Sequence, residues 1–226
     1  MPQTGHLSDV LVYTRTEGYR HDSIPAGISA LRELGEAHGF AVEASEDPSV
    51  FTEASLAGRG AVVLLSTSGE VLTPDGRTAL RRWTSGGGGF MGVHSAACTE
   101  YRWPYYEELL GARFSGHPAV QPGTVLVEDR NHPATAHLPP RWEWNDEWYD
   151  FRDNPRRPGI RVLATIDESG YEGGGMGPDH PVVWCREVGG GRSFYTSLGH
   201  TDEAYGDPAF RDHLLGGLRW AAGVAV

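Results

Sequence analysis

The sequence predicts an α/β fold with a mostly parallel sheet and an antiparallel extension. Two observations carry this. In the first half, short apolar runs alternate with stretches of helical periodicity, the signature of βαβ units whose strands are buried on both faces. In the second half, residues 181–188 and 192–198 are β-rich runs joined by Gly189-Gly190-Gly191, which read as an antiparallel hairpin.

Residues 9–15 (DVLVYTR) are β-branched and apolar, and predict a buried first strand. Ser23 is the expected N-cap of a helix with Pro25 in its first turn. Ile28, Leu31 and Leu34 keep helical spacing, and Gly39 is the expected stop. Residues 40–44 (FAVEA) predict a second strand, 53–57 a short helix, and 61–67 (AVVLLST) the most apolar strand. Thr73-Pro74-Asp75 opens a helix that runs to Trp83, before the glycines 86–89. Residues 90–94 (FMGVH) predict a fourth strand; 124–128 and 160–166 follow as strands. The last helix is expected over 208–222, with Leu214, Leu215, Leu218 and Trp220 on its buried side.

The 226 residues fit one domain, expected over 1–226, at about 150 residues per domain. With 30 acids against 19 bases the net charge is −11, which disfavours nucleic acid or an anionic membrane as a partner. All 19 bases are Arg, so a lysine Schiff base, a Ser–Lys pair and a P-loop lysine are excluded. Two cysteines, Cys98 and Cys185, make no CxxC pair. No apolar run approaches the roughly 18 residues that cross a bilayer, and no leader pattern precedes Asp9, so a cytoplasmic protein is expected.

In open α/β sheets, ligands bind beyond the carboxyl ends of the strands. Four such ends carry chemistry here: Thr16 to Asp22, Ser66 to Glu70, His94 to Glu100, and Gly199 to Asp202. Gly92-Val93-His94-Ser95-Ala96 suits a tight elbow between strand and helix, with His94 at the apex. A histidine there serves as acid, base, metal ligand or hydrogen-bond donor, and the competing reading is a packed turn residue. His200 is the second candidate, with Asp202 two residues on. His117 and His180, each followed by proline, are candidates for the pocket wall; His132 reads as structural. Residues 142–151 hold five aromatics and four acids. That mixture suits a sugar, with Asp146 and Glu147 for its hydroxyls and Trp148 as a stacking face, or else a buried amphipathic strand. No HExxH, EF-hand or cysteine-rich spacing is present, so a divalent metal would need ligands from distant loops. Both cysteines read as small buried hydrophobes.

Five segments in order resemble the ThuA-like (trehalose utilisation) family: residues 90–96, Phe114-Ser115-Gly116-His117-Pro118, Asp146-Glu147-Trp148-Tyr149, His180-Pro181-Val182-Val183-Trp184, and 191–200 ending at His200. The likeness spans nearly the whole chain. It implies the class I glutamine amidotransferase-like fold, a flavodoxin-like three-layer sandwich. Amidotransferases carry Cys at the elbow in Gly-x-Cys-x-Gly; here His94 holds that place and Ala96 replaces the second glycine. Their histidine precedes Pro-Glu, whereas His200 precedes Thr201-Asp202. The resemblance therefore implies no glutamine amidotransferase activity. It implies a role in using trehalose or related disaccharides, through keto-sugars made with a partner sugar dehydrogenase.

The expectation is a carbohydrate-processing protein. His94 and His200 act as acid–base or ligand groups, Asp22, Glu70, Asp146 and Glu147 bind hydroxyls or act as a carboxylate pair, and His21, His117, His180 and Trp148 shape the pocket. Its rivals are a metal-dependent hydrolase, a non-catalytic sugar-binding module and a cysteine amidohydrolase using Cys98. A homo-oligomer stays open.

Overall fold

Val10–Tyr13 (β1) is buried throughout, and its alternation explains the layers. Val10 and Val12 enter one core cluster, Leu11 and Tyr13 the other, because successive strand residues face opposite sides. The computed structural model describes residues 6–224. Helix α1 (Ile24–His38) follows β1 and ends at Gly39, whose φ of +81° is the left-handed cap that glycine adopts without strain. Ser23 does not cap it: its backbone is already helical and its side chain caps nothing. Next come β2 (Val42–Ser45), a short α2 (Glu53–Leu56), β3 (Ala61–Leu65), α3 (Pro74–Ser85) and β4 (Gly89–Val93). Thr73 caps α3 by accepting from Gly76 N.

The chain then forms α4 (Pro104–Leu110), β5 (Phe114–Gly116), β6 (Gln121–Val127), β7 (Arg141–Asp146), β8 (Asp150–Phe151) and β9 (Arg161–Ile166). The hairpin β10 (Pro181–Val188) and β11 (Gly191–Thr196) leads to α5 (Asp202–Gly206) and α6 (Pro208–Ala221). The sequence reading missed α4, β5 and α5, all of seven residues or fewer. Trp220 is only partly buried, under the guanidinium of Arg192.

Nine strands share one sheet, ordered β2-β1-β3-β4-β11-β10-β9-β6-β7. The first five are parallel, in the arrangement of a flavodoxin-like sandwich. The remaining pairings are antiparallel. Helices α1 and α6 cover one face; α3 and α4 cover the other. Trp144 of β7 packs on Phe210 of α6, ring centroids 5.5 Å apart. The extension thus curls over this helix and brings the end of β7 back toward the end of β11. No helix of the described residues is long and apolar enough to cross a membrane.

Two buried histidines make the fold acid-sensitive. His213 on α6 donates from Nδ1 to the Ala134 carbonyl at 2.8 Å, and its Nε2 has no partner. His132 stacks on Phe194. Burial pushes His213 down to about 3 and His132 down to about 4. Unfolded, each takes up a proton near the ordinary value of about 6.5. The unfolded chain therefore binds more protons below that pH. Stability is expected to fall by about 1.4 kcal/mol per pH unit for each histidine from about 6.5 toward 4. His200, raised by its hydrogen bond to Glu147, acts in the opposite sense, in the window above about 6.5. Denaturant midpoints at pH 7 and pH 5 check this. A midpoint that does not move, or an unchanged slope in His213→Phe, would contradict it.

Candidate functional site

The carboxyl ends of β1, β4 and β11 and the segment after β7 meet at one place. His94, the first residue after β4, is fully buried and sits at φ +50°. Ser66 after β3 (φ +47°) and Glu100 (φ +54°) share this left-handed conformation. It costs a non-glycine residue of order 1–2 kcal/mol, a strain that concentrates at functional sites. His94 Nδ1 donates to the Ser197 carbonyl at 2.7 Å. A carbonyl can only accept, so in the neutral ring Nε2 carries the lone pair and points inward.

Around that atom stand His21 Nε2 at 3.1 Å, Tyr149 Oη at 3.0 Å, His200 Nδ1 at 3.3 Å and Glu147 Oε2 at 3.5 Å. His200 Nδ1 also lies 3.3 Å from Glu147 Oε2, and His117 Nδ1 lies 3.0 Å from Glu147 Oε1. Burial works to raise the Glu147 carboxyl, but its hydrogen bond with His200 and its contact with the His94 imidazole outweigh it and hold the group well below the ordinary carboxylate range. The bond to Glu147 raises His200 against its burial. Burial, then the neighbouring His94 and His200, pushes His21 down to about 3. The cluster thus combines an ionised carboxylate, an imidazole that favours its proton and one that refuses it. Four of its members, His21, His94, His200 and Glu147, place their ligand atoms within 4.8 Å of one another.

The cluster borders a cavity of about 600 Å³, lined among others by Tyr19, His21, Tyr101, Phe114, His117, Glu147 and Tyr149. This is the size of a small-molecule site. Its lining contains no arginine. A larger recess of about 720 Å³ lies elsewhere, among Gly58, Gly88, Gly190 and Ala222. It holds none of the clustered groups.

Of the residues expected at the site, His21, His94, His117, Glu147 and His200 come together; others do not. Asp146 is fully buried and accepts four N–H groups, from Trp144, Glu147, Gly199 and His200. It has no oxygen left for a substrate and is a positioning residue. Trp148 is fully buried, donating to the Gln121 carbonyl, so it cannot offer a stacking face. Glu70 pairs with Arg77 at 2.6 Å and accepts from Arg102 N, outside the cavity. Asp22 is exposed and does not line it. His180 is fully buried behind the site, donating from Nε2 to the Tyr149 carbonyl at 2.8 Å. Cys98 lines the cavity, and burial pushes its thiol up to about 12, leaving no thiolate for a nucleophile.

Sequence reasoning missed Tyr149 as a functional group, as well as the aromatic lining from Tyr19, Tyr101 and Phe114. The signals for Tyr149 were its place in the aromatic and acidic run and in the family segment Asp146-Glu147-Trp148-Tyr149, neither of which gave it a role. Which aromatics of that run face solvent and which face the core was not readable.

Comparison with known proteins agrees with this architecture. A model of the ThuA family, described by trehalose utilisation, matches residues 9–221. No curated protein matches the chain. A Bacteroides uniformis protein named as ThuA-like superposes with a TM-score of 0.80 at 22% identity, covering 97% of this chain and 92% of that one. A ThuA-like protein from Parabacteroides merdae gives 0.79 at 21%, covering 96% and 90%. A β-galactosidase from Bacillus circulans sp. alkalophilus gives 0.61 at 13%, covering 96% of this chain and 31% of that one. At such identities the solved structures attest the fold.

Proposed function

The chain belongs to the ThuA family of trehalose utilisation, and from that premise we propose that it binds and processes an uncharged disaccharide or its keto derivative at the His94 cluster. One observation carries this reading: an acid–base cluster opens on a cavity rich in aromatic faces and free of arginine. Tyr19, Tyr101 and Phe114 offer surfaces for the apolar side of a sugar ring, while Glu147, His117 and Ser95 offer partners for its hydroxyls. A phosphorylated sugar would find no guanidinium there to pair with its phosphate. His200 holds a proton, the inward Nε2 of His94 offers a lone pair to accept one, and the ionised Glu147 carboxylate stabilises the positive charge beside it. A cytoplasmic setting and a dehydrogenase that supplies the keto-sugar complete the proposal.

The test is a thermal-shift and turnover screen with trehalose, its keto derivatives and trehalose phosphate. A native-state ligand raises the melting point, and the phosphate ester is expected to give no shift. His94→Ala is expected to stay folded and to lose turnover by at least about 100-fold. Full turnover in a folded His94→Ala protein, or preferential binding of the phosphate ester, would overturn the reading.

A further inference from the structure

We propose that His21, His94, His200 and Glu147 form a site for one divalent transition-metal ion, zinc being the ion that fits best. This goes beyond the sugar reading and stands on geometry alone. Tetrahedral zinc holds imidazole nitrogens and carboxylate oxygens at about 2.0–2.2 Å, which sets neighbouring ligand atoms about 3.3 Å apart. The spacings here are 3.1 Å for His94 to His21, 3.3 Å for His94 to His200, 3.5 Å for His94 to Glu147 and 3.3 Å for His200 to Glu147. All four atoms lie within 4.8 Å of one another.

Groups behind the ligands point the same way. His94 Nδ1 is tied to the Ser197 carbonyl, so the atom facing the centre is the one able to coordinate. His21 Nδ1 lies 3.3 Å from Ser95 Oγ, leaving its Nε2 inward. Asp146 accepts from the backbone of both Glu147 and His200 and so fixes two ligand-bearing residues at once. Three imidazole nitrogens facing one another need either shared protons or a cation between them. An ion replaces those protons.

The donor set decides the class of ion. Three imidazoles with one carboxylate suit zinc and its first-row neighbours; the oxygen-only shells of calcium and magnesium are not offered. A second group, Asp150, Glu168 and His180, shows what a structural cluster looks like. Its carboxylates already accept from the amides of Gly175, Met176 and Gly177, and they tie down that loop. At the first cluster the cavity adjoins His21, Glu147 and Tyr149. Four protein ligands fill a tetrahedral shell, so a water or a ligand oxygen entering from the cavity would have to expand it to five or displace one of them.

The test uses the full chain, stripped with chelator and titrated calorimetrically with zinc chloride, with nickel and manganese as parallel probes. Expected are one ion per chain and a higher melting point. His94→Ala and the more exposed His200→Ala should each weaken zinc by at least tenfold, and His38→Ala on the surface should leave it unchanged. No saturable binding near one ion per chain overturns the proposal. So does equal zinc affinity in wild type and in both ligand variants, each shown to be folded by circular dichroism. Should His94→Ala fail to fold, His200→Ala decides alone. Sugar binding is measured on stripped and loaded protein. Zinc binding without sugar affinity in either form removes only the sugar reading, and sugar affinity in a protein that takes no metal removes only this one.

Discussion

Asp146→Asn is expected to disable the site and to cost about 3–5 kcal/mol of stability, because buried donors left without acceptors carry about 1–3 kcal/mol each. Asp146 Oδ1 accepts from Glu147 N at 2.8 Å and His200 N at 3.1 Å; Oδ2 accepts from Gly199 N at 2.8 Å and Trp144 Nε1 at 2.9 Å. Asparagine keeps the shape but turns one acceptor into an NH₂ facing two N–H donors. Gly199, at φ +110° and against Tyr205 Oη, has little room to move and restore the bonds. An NH₂ in place of Oδ1 breaks the two bonds that hold the backbones of Glu147 and His200, and one in place of Oδ2 breaks those of Gly199, next to His200, and Trp144, so the site suffers along with the fold in either orientation. The measurement pairs denaturant unfolding with zinc titration below the melting temperature. A purely structural Asp146 would lower the midpoint and leave the affinity of the folded fraction intact. The positioning role predicts at least a tenfold loss in that fraction.

Glu100→Ala carries the second large effect, again about 3–5 kcal/mol. Glu100 is fully buried. Its Oε1 accepts from Val71 N at 2.8 Å and Leu72 N at 2.7 Å, and its Oε2 accepts from Arg77 Nε at 2.6 Å. It thereby anchors the turn into α3 to the segment that follows the His94 elbow. Burial raises this carboxyl, and the bonds from Leu72, Arg77 and Val71 only partly offset it, so its charge is held at a cost. A neutral amide of the same shape keeps the two backbone bonds and avoids that cost. Glu100→Gln is therefore expected to destabilise much less than Glu100→Ala. Urea midpoints of the two variants decide the matter; equal losses would mean that the ion pair with Arg77, not the backbone bonds, holds this segment.

Much of the fold was legible in the residues. The apolar stretches read as strands at 61–67 and 90–94, observed as Ala61–Leu65 and Gly89–Val93, report strands covered on both faces, because only burial selects such stretches. Gly39 and Pro74 mark a helix end and a helix start through backbone preferences that act within one turn. His94 was recognisable at its elbow, and its positive φ shows why the position is special. His200 was recognisable from its place after the hairpin.

The division between Asp146 and Glu147 was not legible. They are adjacent, chemically alike and in one motif, yet one turns inward to four N–H groups and the other faces the cavity. Trp148 and Tyr149 part in the same way. Periodicity records that a residue is buried, not what it is buried against.

Taken alone, the chain's order of apolar runs and turn residues determined the parallel half of the sheet, the family likeness and the strand ends where polar groups collect. Those are effects of near neighbours. The curl of the antiparallel extension over α6 decided which carboxylate joins the histidines, because the 53-position separations of Glu147 from His94 and from His200 are bridged by packing and hydrogen bonds that no local pattern encodes.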